Sequence, residues 1–317
     1  MDLAKAIEVF YKLIKEKKSI QALRYFVERC LVTVYRFIPH DGLRVMDQRW
    51  DFLIVLDACR YDAFKTVYKY YGRLCGEDCV YEKLYKAVSL GSWTLEWARK
   101  NFTGYYKDVI YISSNIFISN FYFKSFKAPD HFFKVIDVWK SGWNEELDTV
   151  PPEEVTKVAI RIHNEFPDKR LIIHYMQPHA PYIGKTRIAG IDIGFRHKSH
   201  IHRAIDEKPL LWRLLGKIEE AGYDINTIRR AYIDNLHLVL EEVKKLIKEL
   251  DGIIVVTSDH GELLGEKFLL EHPEDLYVRE LTEVPWLVIK KSRISRQKRL
   301  IRLKIKQKAR ELRKKLR

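Results

Sequence analysis

The sequence predicts an α/β protein in which a mostly parallel central sheet carries helices on both faces, and three observations predict it. Residues 52–56 in "WDFLIVLDACRYDAF" and 253–256 in "IIVVTSDHGELLGEK" are short, unbroken apolar runs, the pattern of strands buried on both faces. Further strand patterns, "YKAVSL", "DVIYIS", "RLIIHYM" and "VPWLVIK", alternate with helical periodicity at 151–166 and 225–250. Both apolar runs end on an acid, Asp57 and Asp259, and the second is followed at once by His260.

The chain has 317 residues and is 47% hydrophobic, enough for a substantial core in one large or two ordinary domains. Residues 1–48 read as two amphipathic helices, with Ile7, Phe10, Tyr11 and Ile14 on one face of the first. They are expected to pack on the domain or on lipid. Residues 49–290 form the expected catalytic domain, and 291–317 a basic amphipathic helix. The start, "MDLAKAIEVFYKLIKEKK", has an early acid and charges at helical spacing where a signal peptide needs an apolar core, so a cytoplasmic protein is expected. The four cysteines, Cys30, Cys59, Cys75 and Cys79, are too few and scattered for a disulfide framework. Cys75 and Cys79 lack a second pair that would make a metal site, although a thermophile could oxidise them. Richness in Lys, Arg, Glu and Ile fits such a source.

The net charge of +14 is local. Residues 290–317 hold 15 Lys and Arg against the single acid Glu311, so the remainder is neutral. Ile294, Ile301, Ile305, Ala309, Leu312 and Leu316 fall near helical spacing in this tail. A basic helix with an apolar stripe suits an anionic membrane surface on the inner face. The alternative is a solvated helix packing its stripe on the domain. The tail has no aromatic residues to stack on bases, which disfavours nucleic acid as a partner. Residues 183–222 are irregular and carry Arg187, Arg196, His197, Lys198, His200, His202 and Arg203, either an anion-facing substrate loop or a solvated charged one.

In open α/β sheets, ligands bind beyond the carboxyl ends of the strands. Asp57, Asp259 and His260 would project there, and two carboxylates with an imidazole can hold a divalent cation such as zinc or manganese. The bland reading of Asp259 and His260 is a helix cap with a solvated histidine. In "SLGSWTLEWARKNFTG", Ser92 and Thr94 stand between a strand and a helix. A hydroxyl there is usually a cap, and a helix N-terminus is also where an anion binds.

The segments "LDACRYD", "GSWTLEWARKNFTG", "HYMQPHAPY", "TSDHGE", "EHP" and "VPWLVI" follow one another in an order that resembles the alkaline phosphatase superfamily. Its sulfatase-like branch, which includes sulfatases, phosphonate monoester hydrolases and lipoteichoic acid synthase, is the most similar, over residues 50–290. The resemblance implies a three-layer alkaline phosphatase-like fold. It implies that Asp57, Thr94, Asp259 and His260 bind one divalent metal (zinc, manganese, magnesium or calcium) and that Thr94 is the nucleophile, with Ser92 as the alternative. His179 in "PHAPY" resembles the histidine that contacts the transferred group, and His272 a second site histidine. His174 either joins them or closes a strand, and Tyr175 and Tyr182 read as packing.

Departures from the family pattern narrow the function. Sulfatases convert Cys or Ser in Cys/Ser-x-Pro-x-Arg to formylglycine, and the matching positions here are Thr94, Glu96 and Ala98. Threonine cannot make that conversion, so a sulfatase is disfavoured. The second-metal Asp-x-x-x-His pair is replaced by His179 and Ile183, which implies a single ion. The leading expectation is a metal-dependent hydrolase of phosphodiesters or of lipid- or sugar-linked phosphates, working through a covalent Thr94 intermediate. A phosphotransferase that moves a head group onto a lipid or glycan is the alternative. A non-catalytic binding or scaffold protein with a working tail is the reading from a different class.

Overall fold

The computed structural model describes residues 3–16, 19–76, 79–121, 125–188, 221–291 and 308. Two helices, α1 (Leu3–Lys15) and α2 (Ser19–Tyr35), precede the first strand, β1 (Phe52–Leu56). There follow α3 (Tyr61–Tyr71), β2 (Cys79–Val88), α4 (Thr94–Asn101), β3 (Tyr106–Ser113), β4 (Phe132–Asp137), α5 (Val138–Gly142), α6 (Pro152–Glu165) and β5 (Arg170–Tyr175). The chain continues through α7 (Ile225–Glu249), β6 (Gly252–Thr257), a small β7 (Leu263–Leu264) and β8 (Leu270–Glu271) pair, α8 (Arg279–Thr282) and β9 (Glu283–Lys291). Most of the irregular 183–222 segment and the basic stripe of the tail lie outside the described residues. Arg187 is described, and its guanidinium donates to the Glu146 carbonyl at 2.7 Å.

Seven strands form the central sheet in the order β2-β9-β6-β1-β5-β3-β4. Strand β1 sits at its centre, parallel to β5 on one side and β6 on the other. Strand β3 is parallel to both β5 and β4, whereas β9 runs antiparallel to β6 and β2. The expected apolar strands are present. Strand β4 was not anticipated, because "FFKVID" is an edge strand whose mixed burial hides its period. Strand β2 extends over ten residues where only "YKAVSL" reads as strand. Its Glu82, Lys83 and Lys86 keep that exposed edge polar, which discourages pairing with another chain.

Alternate side chains of the central strands enter two cores. Phe52, Ile54 and Leu56 of β1 join Phe64 of α3, Val155 and Ala159 of α6, and Leu236, Leu240, Val243 and Ile247 of α7. Those four α7 residues recur at the spacing of one helix face, so a single stripe is buried. Leu53 and Val55 point the other way, against Leu95, Trp97 and Ala98 of α4 and Phe102. Each fully buried side chain of this size contributes about 1.5–3 kcal/mol. The layers place the carboxyl ends of β1, β5, β6 and β3 on one edge with the first turn of α4.

Arg60 ties the start of α3 to the excursion between β6 and β9. Its guanidinium bonds Asp62 and Glu266, both at 2.7 Å, and it also donates to the Glu262 carbonyl at 3.3 Å. Burial would raise the Glu266 pKa, but the Arg60 pair outweighs it and holds the carboxyl below its ordinary 4.5. The unfolded chain therefore binds the proton more tightly, so this stabilisation is present above pH 4.5 and is lost as pH falls through the folded value. Glu266→Gln is expected to cost about 1–2 kcal/mol at pH 7, a deficit that shrinks below pH 4.5. Urea unfolding at the two pH values checks this, and an equal deficit at both would refute it.

Candidate active site

Two strand ends and one helix start converge on a buried point. Asp57 follows β1 directly, Asp259 and His260 follow β6, and Thr94 is the first residue of α4. The ends of β1 and β6 are laced together. Ser258 Oγ donates to the Leu56 carbonyl at 2.6 Å and accepts from the Cys59 N–H at 2.7 Å, while Asp259 Oδ1 accepts the Ala58 N–H at 3.1 Å. Ala58 has φ of 56°, a sharp turn immediately after Asp57 that a bulkier residue would adopt at a cost. At Gly261 a Cβ would lie 2.1 Å from the Glu280 carbonyl oxygen, so only glycine lets the chain leave His260 along this path.

One ligand atom from each of Asp57, Asp259 and His260 lies within 4.8 Å of the other two, and all three side chains are buried. His260 Nε2 is 3.2 Å from Asp259 Oδ2 and 3.8 Å from Asp57 Oδ1. Thr94 Oγ1 donates to Asp259 Oδ2 at 2.8 Å and lies 3.3 Å from His260 Nε2. Ser92 is turned away. Its Oγ is 2.9 Å from the Pro273 carbonyl and 3.1 Å from Glu96 Oε2, so it braces the start of α4. Of the two hydroxyls the sequence offers, Thr94 alone reaches the acids and the imidazole.

Burial lowers the His260 pKa, and the facing Asp259 and Asp57 carboxylates with the Gly261 carbonyl outweigh it, lifting it to about 9. Asp259 is held far below its ordinary value, because the charge and hydrogen bond of His260 overcome its burial. Two buried carboxylates against one imidazolium leave negative charge in a place where each ion costs several kcal/mol of desolvation. A divalent cation would settle that balance, and oxygen donors with one imidazole nitrogen suit one. His174 supplies a second indication. Its Nε2 is buried without a hydrogen-bond partner, 3.3 Å from Asp57 Oδ2, while its Nδ1 sits 2.9 Å from the Tyr111 hydroxyl. His174 therefore faces the acids as well as ending β5.

The sequence reading missed Asn115, just beyond β3. Its Nδ2 donates to Asp57 Oδ2 and lies 3.4 Å from Thr94 Oγ1, while its Oδ1 accepts the Phe117 N–H at 2.8 Å. The signal was available in "YISSN", a buried strand ending on a polar residue, as at Asp57 and Asp259. Glu262, the last residue of "TSDHGE", also joins the site, with its Oε1 3.2 Å from His272 Nδ1. The His272 ring stacks on His260 at 4.4 Å and meets the His179 ring edge-on at 5.1 Å. His179, Glu262 and His272 form a second trio with ligand atoms within 4.8 Å of one another, beside the first and beyond the single site that the sequence implies. Burial, then the neighbouring His260, lowers the His272 pKa, while the facing Glu262 carboxylate opposes that shift. A third trio, Cys75, Cys79 and Glu82, lies at the β2 edge, where Glu82 already accepts the Leu74 and Cys75 N–H groups.

The model of the sulfatase family matches residues 85–311, most of the chain, including Thr94, Asp259 and His260. The chain belongs to the sulfatase family. A choline-sulfatase of Rhizobium meliloti (strain 1021) is 27% identical in an alignment of 114 positions that covers 31% of this chain and 22% of that protein. The chain thus spans about a fifth of the length of this curated relative. The soluble domain of lipooligosaccharide phosphoethanolamine transferase A from Neisseria meningitidis has the same fold, with a TM-score of 0.50, 16% identity, and coverage of 78% of this chain and 77% of that one. The C-terminal periplasmic domain of EptC from Escherichia coli, in complex with zinc, is similar with a TM-score of 0.45, 13% identity, and coverage of 76% and 72%. The fold is that of the alkaline phosphatase superfamily, as the sequence implied.

An ion held by Asp57, Asp259 and His260 would compete with the proton on His260. Metal uptake at pH 8 is expected to release about one proton per ion, and affinity to fall as pH drops below about 9, where His260 is protonated without the ion. Titration of zinc or manganese in weak buffer with an indicator dye measures the release. Stoichiometric binding without proton release would contradict the assignment, and Asp259→Asn is expected to lower affinity on the order of a hundredfold or more.

Proposed function

We propose that the chain is a metal-dependent enzyme that cleaves phosphate esters through a covalent bond to Thr94. The observation that carries this is the Thr94 hydroxyl, which stands at the first turn of α4 within hydrogen-bond reach of Asp259 and His260. A divalent ion held by Asp57, Asp259, His260 and Thr94 would lower the pKa of that hydroxyl and offset charge on the transferred group. Asp259 Oδ2 orients the Thr94 hydroxyl by accepting its hydrogen bond at 2.8 Å, and the hydroxyl proton leaves to bulk water. Thr94 Oγ1 attacks phosphorus in line, so that the Oγ1–P bond forms as the bond to the leaving oxygen breaks. The unpaired N–H groups of the α4 first turn favour the anionic group. His179 offsets charge on its oxygens, and His272 or His179 delivers a proton to the leaving oxygen. Asn115 and His174 orient Asp57 and keep the hydroxyl aligned.

Water then takes the group from Thr94 in a hydrolase, and an alcohol takes it in a transferase. The hydrolase reading covers phosphodiesters and lipid- or sugar-linked phosphates. The transferase reading, in which a phosphate-linked head group passes to a lipid or glycan, is favoured by the fold shared with a phosphoethanolamine transferase. Sulfate esters rank below both because Thr94 cannot become formylglycine. The basic tail would hold the enzyme at an anionic membrane surface, as its charge and stripe suggest.

Turnover of aryl phosphodiester, phosphomonoester and sulfate ester with added zinc or manganese tests the reading. Thr94→Ala is expected to lower diester turnover by at least about a thousandfold. Acid-quenched wild type should carry the phosphoryl group on the peptide that contains Thr94. Wild-type rates in Thr94→Ala, or sulfate cleaved fastest, would overturn it. His272→Ala is expected to slow alkyl esters on the order of a hundredfold and nitrophenyl esters far less, because only a poor leaving group needs the proton. An equal loss on both would reassign His272 to metal or phosphate binding.

A further inference from the structure

Helix α2 carries two apolar stripes, and the fold uses one. Its inner stripe, Ala22, Tyr25 and Val32, is buried. Its outer stripe recurs at three- and four-residue spacing and faces outward, with Ile20 at 64% exposure, Leu23 at 58%, Phe26 at 56% and Val34 at 56%. Phe37 extends it just past the helix at 84%, the most exposed large apolar residue among those described. On α1, Ile7, Tyr11 and Ile14 repeat the pattern at helical spacing, all exposed, and Phe10 of α1 meets Phe26 of α2 with ring centroids 6.2 Å apart. Phe10 packs against the inner cluster as well, so that contact holds the two helices together as one hairpin with exposed apolar residues on both. Single exposed apolar residues are ordinary, whereas a stripe of this kind marks an interaction surface.

Charge chooses the occupant. Residues 1–40 hold eight Lys and Arg against four Asp and Glu, a net +4. The chain's own C-terminal segment also has an apolar stripe, but it brings about fourteen positive charges onto this basic hairpin. A second copy brings another +4. An anionic lipid surface offers the complementary charge and an apolar interior together, and each cation near it contributes about 1 kcal/mol. No described helix is long and apolar enough to cross a membrane, which leaves a face that lies on one. We infer that the outer face of α1 and α2 docks on an anionic bilayer, inserting the Ile20, Leu23, Phe26, Val34 and Phe37 side chains.

The docking face is tied to the catalytic edge. Val32 of α2 packs with Leu263, Leu269, Leu276 and Leu281, and Arg36 bonds Asp275 at 3.1 Å. These residues lie on the excursion between β6 and β9 that supplies Glu262 and His272. A hairpin seated on lipid therefore holds that side of the site at the interface, where a lipid-linked phosphate would reach it.

Cys30 provides the probe. It is exposed on the outer stripe between Phe26 and Val34, whereas Cys59 and Cys75 are buried. The full-length chain with Cys79→Ser, labelled at Cys30 with an environment-sensitive dye, is mixed with vesicles of phosphatidylcholine alone or with phosphatidylglycerol. The expected result is a blue shift and a several-fold rise in emission on anionic vesicles only. On anionic vesicles it should weaken but persist at a salt concentration that screens tail and hairpin charges alike, because insertion of the apolar side chains is not screened. Leu23→Ser with Phe26→Ser is expected to weaken vesicle partitioning on the order of a hundredfold at that salt, since both side chains lose burial in lipid. Binding with no change at Cys30 and no effect of the double substitution would overturn the inference in favour of the tail alone. A blue-shifted dye before vesicles are added, independent of protein concentration, would assign the face to the tail, and one that appears with concentration would assign it to a second copy. Because the readout involves no turnover, a negative result leaves the Thr94 reading intact, and a failed Thr94 test leaves this one intact.

Discussion

Two carboxylates buried side by side are the constraint on which the site depends. Asp57 and Asp259 stand at the ends of neighbouring strands, each almost wholly withdrawn from solvent. Their mutual repulsion and lost hydration must be offset locally. The surrounding residues act as that offset. His260 is raised to about 9, Asn115 and Thr94 donate hydrogen bonds, and the Ala58 N–H points at Asp259. Such a concentration of compensating groups would suit a cation, and it gives the Thr94 hydroxyl a hydrogen-bond acceptor.

The rigidity of that arrangement comes from the sheet. Strands β1 and β6 are held in parallel register and then stitched again beyond their last paired residues by Ser258, which bonds both the Leu56 carbonyl and the Cys59 N–H. Thr94 arrives from a different direction, on α4, whose Leu95, Trp97 and Ala98 are buried against the opposite face of the same strands. Thr94 and the Asp57, Asp259 and His260 cluster are thus fixed by the two sides of one hydrophobic layer. Packing density, more than any single hydrogen bond, sets their separation.

On the open side the construction differs. His179 and His272 are partly exposed; His179 lies four residues past β5, and His272 directly follows the short β8 in the excursion between β6 and β9. The excursion that carries His272 is braced by Arg60 from α3 and by Val32 and Arg36 from α2. The open side of the cluster is therefore supported by the N-terminal hairpin as well as by the sheet.

The sequence alone determined the sheet, the alternation of strands and helices, and the strand-end acids. These rest on local apolar runs and on the rule that open sheets bind ligands at carboxyl ends. It also exposed the Thr94 and Ser92 pair, and its resemblance to the sulfatase-like branch marked His179 and His272. Only the tertiary structure decided between the two hydroxyls, because the direction of a side chain at a helix start depends on what packs behind it. Asn115 and His174 became site residues only when β3 and β5 were laid beside β1, since their partners lie 58 and 117 positions away in the chain. The edge strand β4, the reversed β9 and the outward stripe of α2 were undecided for the same reason. A residue's period shows that one face is apolar, and only the assembled fold shows whether anything covers it.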